Sequence, residues 1–241
     1  GAATGGVELG IGGRLKFLSS FDLAATRAVT LGLGRGTIDT NGNDTTISQV
    51  ITGLGQLDKA GAGTLALTGS NTFGGAVSIS GGILAIASDA ALGNANNGVT
   101  FNGGTLQFLN SFNLASSRLL TLDAGGGTID TNGFNTTIAQ AIDGTGRLTK
   151  SGAGTLTLSS ANTYSGGTTI NDGVLTISAA EALGSGSLNL NGGTLLTTSD
   201  MSINRAIALS ANSTIGNFGN LRLEGVISGS GDLDQWGSGF L

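Results

Sequence analysis

The sequence contains no cysteine, no histidine and no proline among its 241 residues. Without cysteine the chain can form no disulfide framework and offers no thiol nucleophile, and without histidine it lacks a Ser-His-Asp triad. The usual zinc sites also need one or both of these residue types. Only 10% of the residues are charged, against about 25% in ordinary soluble proteins. These absences exclude several large classes of enzyme before any motif is considered.

Glycine contributes 45 residues, yet the composition fits neither collagen nor a disordered linker. Collagen requires glycine at every third position together with abundant proline. Leu, Ile, Val and Phe account for 64 residues, which is above the share of roughly 20% below which disorder is favoured. The formal net charge of −5 is too small to keep a chain expanded by self-repulsion. We therefore expect the chain to fold.

Internal repetition is the strongest signal in the sequence. The heptapeptide GTIDTNG occurs at residues 36–42 and again at 127–133, an offset of 91 residues. Residues 12–93 and 103–184 are identical at 45 of 82 positions. A third, more divergent copy follows and is cut off within the repeat. We therefore predict one repeat domain over residues 1–241, with units at about 1–93, 94–184 and a truncated 185–241.

Inside each unit the dominant period is two, as in residues 155–158 (TLTL) and 173–178 (GVLTIS). Short alternating runs of this kind predict strands with one buried face. Asn-Gly, Asp-Gly and Gly-Gly steps separate the runs and predict turns, because glycine and asparagine tolerate positive φ. Only residues 88–92 and 179–183 resemble short helical turns, and a glycine follows each of them.

Two all-β architectures are compatible with these strands. A sandwich of hairpins could use the same turns, but it gives no reason for a near-identical copy 91 residues later. A solenoid stacks each coil on the one before, so that equivalent Thr, Ser and Asn residues form ladders and like charges are avoided. We predict the solenoid, with three strands per coil and roughly ten coils. At the usual inter-strand spacing its length is roughly 45–50 Å.

Residues 146–177, GRLTKSGAGTLTLSSANTYSGGTTINDGVLTI, resemble the autotransporter-associated β-strand repeat of bacterial autotransporter passengers. Residues 55–86 match the pattern less closely, and residues 231–241 match it poorly. The resemblance implies a right-handed parallel β-helix and export to the cell surface, either outer-membrane-associated or secreted. It also implies a C-terminal outer-membrane barrel of the same polypeptide as a partner. We expect the signal segment and the barrel to lie outside these 241 residues.

The repeat offset also sorts the charged residues, because a residue that recurs is expected to serve the architecture. Asp39 and Asp130 recur, which predicts a role in a turn or a ladder. Lys59 and Lys150 recur before a glycine turn, and we expect solvated side chains at a coil edge, with pairing to a neighbouring acid as the alternative. The same expectation applies to the arginines at the equivalent positions, Arg27, Arg118 and Arg205.

Few residues qualify as candidates for chemistry. No nonapeptide calcium repeat, phosphate loop or basic stripe is present, and the acids are isolated along the chain, which disfavours a lyase site. Trp236 and Phe240 occur in a single copy and could cap the stack, meet a neighbouring element or be sequence drift. We assign no catalytic, metal or cofactor-binding residues, and we expect no cofactor, no nucleic acid and no small-molecule substrate.

The sequence supports two hypotheses about function. The first is a non-catalytic structural stalk of a surface passenger, which projects other parts or helps to export them. The second is an adhesin, whose flank of stacked Thr, Ser and Asn residues binds a glycan, a host surface or another copy of itself. Self-association is plausible because an open end of a solenoid exposes unpaired strand groups.

Overall fold

The computed structural model describes residues 5–240 as a parallel β-solenoid of about 12 turns. The predicted all-β parallel helix is therefore confirmed, with slightly more turns than the ten expected. Residues 1–4 and 241, which the predicted repeat domain includes, lie outside the described part. All strand pairs given for this part are parallel, as a solenoid requires.

The first turns and the first repeat copy contain twelve strands and one 3₁₀ turn. In chain order they are β1 (Val7–Leu9), β2 (Arg14–Lys16), β3 (Val29–Leu31), β4 (Arg35–Asp39), β5 (Thr45–Ile47), β6 (Ile51–Gly53), β7 (Gln56–Ala60), β8 (Thr64–Leu67), β9 (Val77–Ile79), β10 (Ile83–Ile86), η1 (Asp89–Leu92), β11 (Val99–Phe101) and β12 (Thr105–Phe108).

The second copy repeats this order and the third begins it again. The elements are β13 (Leu120–Leu122), β14 (Gly127–Asp130), β15 (Thr136–Ile138), β16 (Ile142–Gly144), β17 (Leu148–Ser151), β18 (Thr155–Leu158), β19 (Thr168–Ile170), β20 (Val174–Ile177), η2 (Ala180–Leu183), β21 (Leu188–Asn191), β22 (Thr194–Thr197), β23 (Met201–Ile203), β24 (Ile207–Ala211), β25 (Ser213–Asn217), β26 (Leu221–Leu223), β27 (Ile227–Gly229) and β28 (Leu233–Trp236). The two predicted helical turns are confirmed as η1 and η2.

The strands stack into three faces, with one strand position per face in each turn. The first face begins with β1, β3 and β6 and resumes with β15, β18, β20, β22, β25 and β28. The second face holds β2, β4, β7, β9, β11, β13 and β16, and resumes with β23 and β26. The third face is one ten-stranded sheet of β5, β8, β10, β12, β14, β17, β19, β21, β24 and β27.

The core is a continuous column of aliphatic and aromatic side chains enclosed by the three faces. Alternation within each strand sends every second residue inward, as in β18, where Leu156 and Leu158 are buried between Thr155 and Thr157. Because the strands pair on both sides, glycine can occupy the corners without loosening the stack. At Gly53 and Gly144, for example, φ is positive and a Cβ would lie within 2.0 Å of a carbonyl oxygen of the preceding turn.

The repeat and the turn of the solenoid have different lengths. Strand β3 lies on the first face, its equivalent β13 lies on the second, and the third-copy equivalent β24 lies on the third. Between β3 and β13 the chain therefore completes four turns and advances by one further face. Each repeat copy is consequently rotated by one face relative to the copy before it.

Each repeat interrupts one face, where the chain follows a loop and a 3₁₀ turn in place of strands. In the first copy, residues 71–73 and η1 interrupt the first face after β6. In the second copy, residues 162–164 and η2 interrupt the second face after β16. Because of the rotation, the interruption in each copy lies on a different face.

Candidate functional site

The recurring lysines are buried inside the turns, so the prediction of solvated side chains was wrong. The Lys59 side chain is 0% exposed, and its Nζ donates to the carbonyl oxygens of Ala60, Gly61 and Gly81 at 2.8–3.0 Å. Lys150 is equally buried and makes the equivalent three bonds at 2.6–3.1 Å. The glycine turns that follow each lysine leave their carbonyls pointing inward, and the ammonium group satisfies them. Burial lowers the pKa of each lysine to about 8.

The prediction of a solvated arginine was also wrong for Arg118, which is fully buried. Its guanidinium binds Asp89 through two hydrogen bonds of 3.0 Å and also donates to the Asn97 carbonyl at 2.8 Å. This bidentate pair attaches the chain before β13 to η1, one turn below. Arg27, its first-copy equivalent, is partly buried and also has an interaction.

Arg205 is the third member of this set and it differs from Arg118 in one respect. Its guanidinium donates to backbone carbonyls around η2, among them Ala180 and Gly186. The position of Asp89 is occupied by Ala180 in the second copy. As a result, the Nε atom of Arg205 is buried without a hydrogen-bond partner.

The recurring aspartates occupy turns, as predicted. Asp39 accepts a hydrogen bond from the Asn41 N–H, and Asp130 accepts one from the Asn132 N–H at 2.8 Å. Both asparagines have φ of 50°, a conformation that asparagine tolerates better than most residues. Burial raises the pKa of Asp39, but hydrogen bonds from Arg14 and from Asn41 outweigh burial, so that the pKa lies below its usual value.

Two buried asparagines bridge three successive turns where a face is interrupted. The Asn71 side chain accepts from the Ile51 N–H at 2.8 Å and donates to the Ala91 carbonyl at 2.6 Å. Asn162 makes the same two contacts in the second copy. The sequence alone indicated no such role, although the recurrence of an Asn-Thr-aromatic triplet at this point was the available signal.

A buried pair of side chains differs in a coordinated way between the copies. Tyr164 is 0% exposed, and its hydroxyl hydrogen-bonds the Thr168 hydroxyl at 2.6 Å. Burial raises the pKa of Tyr164 to about 12. The first copy has Phe73 and Val77 at these two positions. The first copy therefore lacks both hydroxyl groups, and neither copy has one of the two hydroxyls without the other.

A polar groove lies on the outside of the second face. Its lining includes Arg35 of β4, Gln56 of β7, Ser78 of β9, Asn102 after β11 and Asp123 after β13. These residues lie on or directly after five consecutive strands of one ladder. The groove therefore runs along the axis of the solenoid, across the strands.

The single-copy aromatic residues lie near the last turn of the described part. Trp236 is half-exposed and packs edge-to-face against Phe218, with ring centroids 5.7 Å apart. Phe240 is largely exposed. Across residues 5–240, no three acidic side chains converge to hold a metal ion, and no helix has the length and apolar character of a membrane span.

These features define the chain as a repeat-built β-solenoid whose recurring polar residues join one turn to the next. A family model described as the passenger-associated-transport repeat matches residues 57–86 and 148–177. The chain is also 39% identical over 165 residues to the adhesin BmaC autotransporter of Brucella suis biovar 1 (strain 1330). The match covers 67% of this chain and 5% of that protein. No solved structure matches the chain.

The chain is therefore an autotransporter passenger segment that carries these repeats, and the resemblance noted in the sequence is confirmed. The two matched regions span β7 to β10 and β17 to β20. They include both buried lysines and both bridging asparagines.

Proposed function

We propose that this segment is a non-catalytic stalk in a surface-exposed or secreted passenger, where it projects other parts of the polypeptide or helps their export. The observation that carries the proposal is the way in which the recurring charged residues are used. Lys59, Lys150 and Arg118 are buried and bind the backbone of neighbouring turns. Their contacts stiffen the stack, and they leave no charged group free at these positions for chemistry.

The environment of the acidic side chains supports the non-catalytic part of the proposal. Asp39 and Asp130 accept backbone bonds in turns, and Asp89 pairs with a buried arginine. Paired carboxylates for acid–base catalysis need to face one another across a substrate site. The carboxylates of the described turns are instead distributed over three faces.

The passenger relationship supports a location at the bacterial cell surface, with an outer-membrane barrel of the same polypeptide as the expected partner. The present chain spans a small part of its relative, so this location and this partner are proposals for the whole protein. A solenoid is suited to such a position because this chain, which has no cysteine, folds without disulfides.

The test is to place the 241-residue chain between an export signal and an outer-membrane barrel in a bacterial host, with an epitope tag before it. We expect the tag to be reached by antibody and by external protease on intact cells. A variant with two copies of the chain should place the tag farther from the membrane. Retention of the tag inside the cell, or an unchanged distance, would contradict the stalk.

Adhesion is the second candidate function, and two observations favour it. The relative is named an adhesin, and the second face carries the polar groove described above. In the display system above, cells that carry the chain should bind a host-cell layer or one another, whereas cells that carry the barrel alone should not. Equal binding by both strains would contradict the adhesive function, and the structural stalk would then be the one remaining proposal.

A further inference from the structure

We propose that the groove on the second face binds an oligosaccharide chain that carries an acidic sugar. The proposal gives the adhesive candidate function a defined site, and it rests on that candidate. The groove spans the ladder from β4 to β13, four inter-strand steps, which corresponds to a length of roughly 19 Å. A site of that length along the axis fits an extended chain of several sugar residues.

Several of the side chains that line the groove have unused hydrogen-bonding capacity. Ser80, which also lines the groove, instead donates to Asp58 at 3.0 Å. Among the contacts of residues 5–240, Arg35, Gln56 and Asp123 make no side-chain hydrogen bond and no ion pair. Asn102 uses its Oδ1 to accept from the Gly125 N–H at 3.1 Å, and its Nδ2 remains available.

The equivalent surface one repeat later provides an internal comparison, and it lies on the third face from β14 to β24. There Arg147 replaces Gln56, and its Nη1 donates to the Thr169 hydroxyl at 3.1 Å. Asn191 donates to Asn171 at 3.0 Å, and Ser210 donates to Asn189 at 2.7 Å. The same scaffold is therefore closed by its own side chains one repeat later.

The open copy differs from the closed one at the residues that point into the groove. Gly126 occupies the position of Arg35, and Ser210 occupies that of Asp123. A residue that serves the architecture recurs at the repeat offset, as both lysines and both asparagines do. The Arg35 guanidinium, the Gln56 amide and the Asp123 carboxylate do not recur at the equivalent positions, whereas Asn102 recurs as Asn191. The three residues that do not recur give the groove a property that the fold itself does not need.

The functional groups that line the groove indicate which class of ligand it could bind. Amide and hydroxyl groups both donate and accept, as sugar hydroxyls do, whereas the guanidinium of Arg35 matches a carboxylate through paired hydrogen bonds. Asp123, at the other end, can accept from hydroxyls but repels an anion. A nucleic acid would need several cations along its phosphates, and an apolar ligand would need an apolar lining. In an oligosaccharide with one acidic sugar, the carboxylate would bind Arg35 and the hydroxyls of a neutral sugar would donate to Asp123 at the other end.

The experiment measures binding of defined acidic hexasaccharides to the 241-residue chain by calorimetry. The probes are oligogalacturonate, hyaluronan and a sialylated oligosaccharide, each compared with its carboxyl-reduced derivative. We expect at least one acidic probe to bind, with a loss of about tenfold in affinity on carboxyl reduction. If no acidic probe binds, or if the reduced forms bind equally well, the proposal is overturned.

Three variants locate the site. The double variant Gln56→Arg with Ser78→Thr copies the closing contact of the second copy, so it should fold normally and weaken binding about tenfold or more. Arg35→Gln should lower the affinity for the acidic probe to that for its reduced form. Thr169→Ser, in the closed copy, keeps the hydroxyl that Arg147 uses and should leave binding unchanged. Melting temperatures check that each variant is folded.

Other outcomes of these measurements overturn the proposal as well. Undiminished binding by the folded double variant would place the ligand elsewhere on the chain. Binding to a deglycosylated protein surface without binding to any acidic probe would assign the adhesive role to a protein partner. Neither result affects the stalk, which is tested by the position of the tag on intact cells.

Discussion

Single side chains connect the turns of this solenoid at several points where backbone carbonyl groups lack a partner in the ladder. Lys59 and Lys150 each satisfy three carbonyls, and Arg118 joins Asp89 to the backbone around Asn97. A buried charge is costly unless hydrogen bonds compensate it. In a chain with 10 lysines and arginines in total, the recurrence of these few at the repeat offset reflects this structural use.

The lysine pKa values predict that stability rises with pH above about 8. A lysine in the unfolded chain has the ordinary pKa of 10.5 and the folded one a pKa of about 8, so the unfolded chain binds more protons between these values. The free energy of unfolding should therefore increase between pH 7.5 and pH 9.5, on the order of 1 kcal/mol per lysine. Urea denaturation at the two pH values measures the increase.

The matched variant for this prediction replaces both lysines by methionine. It should be less stable at pH 7.5, because the turn carbonyls lose their donors, and its stability should be nearly constant over the same interval. The raised pKa of Tyr164, about 12, acts in the opposite direction above pH 10, which is why the interval ends below it. An equal pH dependence in the variant would contradict the assignment to the lysines.

The tyrosine–threonine pair predicts a coupling between two substitutions. Thr168→Val alone leaves a buried phenol unsatisfied, which should cost about 1–3 kcal/mol. Tyr164→Phe alone removes one of two partners of the Thr168 hydroxyl, which keeps its hydrogen bond to the Leu183 carbonyl, and should cost about 1 kcal/mol. The double variant reproduces the Phe73 and Val77 pair of the first copy and should cost less than the two single changes together. Additive losses in chemical denaturation would contradict this coupling.

The buried Nε of Arg205 predicts a stabilising substitution. Ala180→Asp places a carboxylate at the position that Asp89 has in the first copy, where it makes two hydrogen bonds to Arg118. We expect the variant to be more stable by about 1 kcal/mol, because it satisfies a buried donor with a charged partner. Glu181→Gln, at the adjacent position, is the control and should have little effect. A lower melting temperature for Ala180→Asp would show that the carboxylate does not reach the guanidinium.

Among the elements, the interrupted part of each face is where the solenoid depends most on one side chain. Residues 71–73 and η1 form no strand, and Asn71 supplies the donor and the acceptor that strands would have supplied. The short loop can therefore turn outward and return without leaving buried backbone groups unpaired. The same arrangement around Asn162 shows that it belongs to the repeat.

Replacement of this asparagine predicts a large loss of stability. Asn71→Ala leaves the Ile51 N–H and the Ala91 carbonyl unpaired inside the solenoid, which should cost about 3 kcal/mol. Asn96→Ala, in an exposed position of the loop that follows η1, should cost less than about 0.5 kcal/mol. Thermal denaturation of the two variants gives the comparison. Similar losses for both would mean that the bridge contributes little.

For the molecule as a whole, the repeat of 91 residues does not equal a whole number of turns. Copies are rotated by one face, so the interruption falls on the first face in one copy and on the second face in the next. Intact ladders on the other two faces therefore span each interruption. Features carried by every repeat are also distributed around the solenoid, so a site built only from recurring residues would appear on a different face in each copy.

The rotation predicts how the chain responds to deletions. Removal of residues 29–119 takes out one repeat, so that β13 stacks on β1 as β3 did and β14 stacks on β2 as β4 did. We expect a folded solenoid that is shorter by about 21 Å, or four and a third inter-strand steps. Small-angle scattering measures the length and circular dichroism the strand content.

Removal of residues 29–112 is the control, since it deletes a similar length but joins non-equivalent positions. It places the segment before Arg118 on β1, where η1 and its Asp89 are missing. This variant should be markedly less stable than the repeat deletion. Equal stability of the two would mean that stacking contacts between turns are not specific to the repeat.

The sequence by itself determined the architecture, because the signals for it are local and periodic. Alternation in runs such as residues 155–158, positive-φ glycine and asparagine turns, and the 91-residue copy predict stacked parallel strands. The turn roles of Asp39 and Asp130 were also predictable, since their partners lie two residues away.

Only the tertiary structure decided where the remaining polar side chains lie. Gly81, a partner of Lys59, and Asp89, the partner of Arg118, lie 22 and 29 residues away and meet these side chains only through the stacking register. The same register sets the rotation of the copies and leaves the groove open at Gln56 but closed at Arg147. Composition and spacing do not encode which residue lies one turn above another, because the loops between strands vary in length.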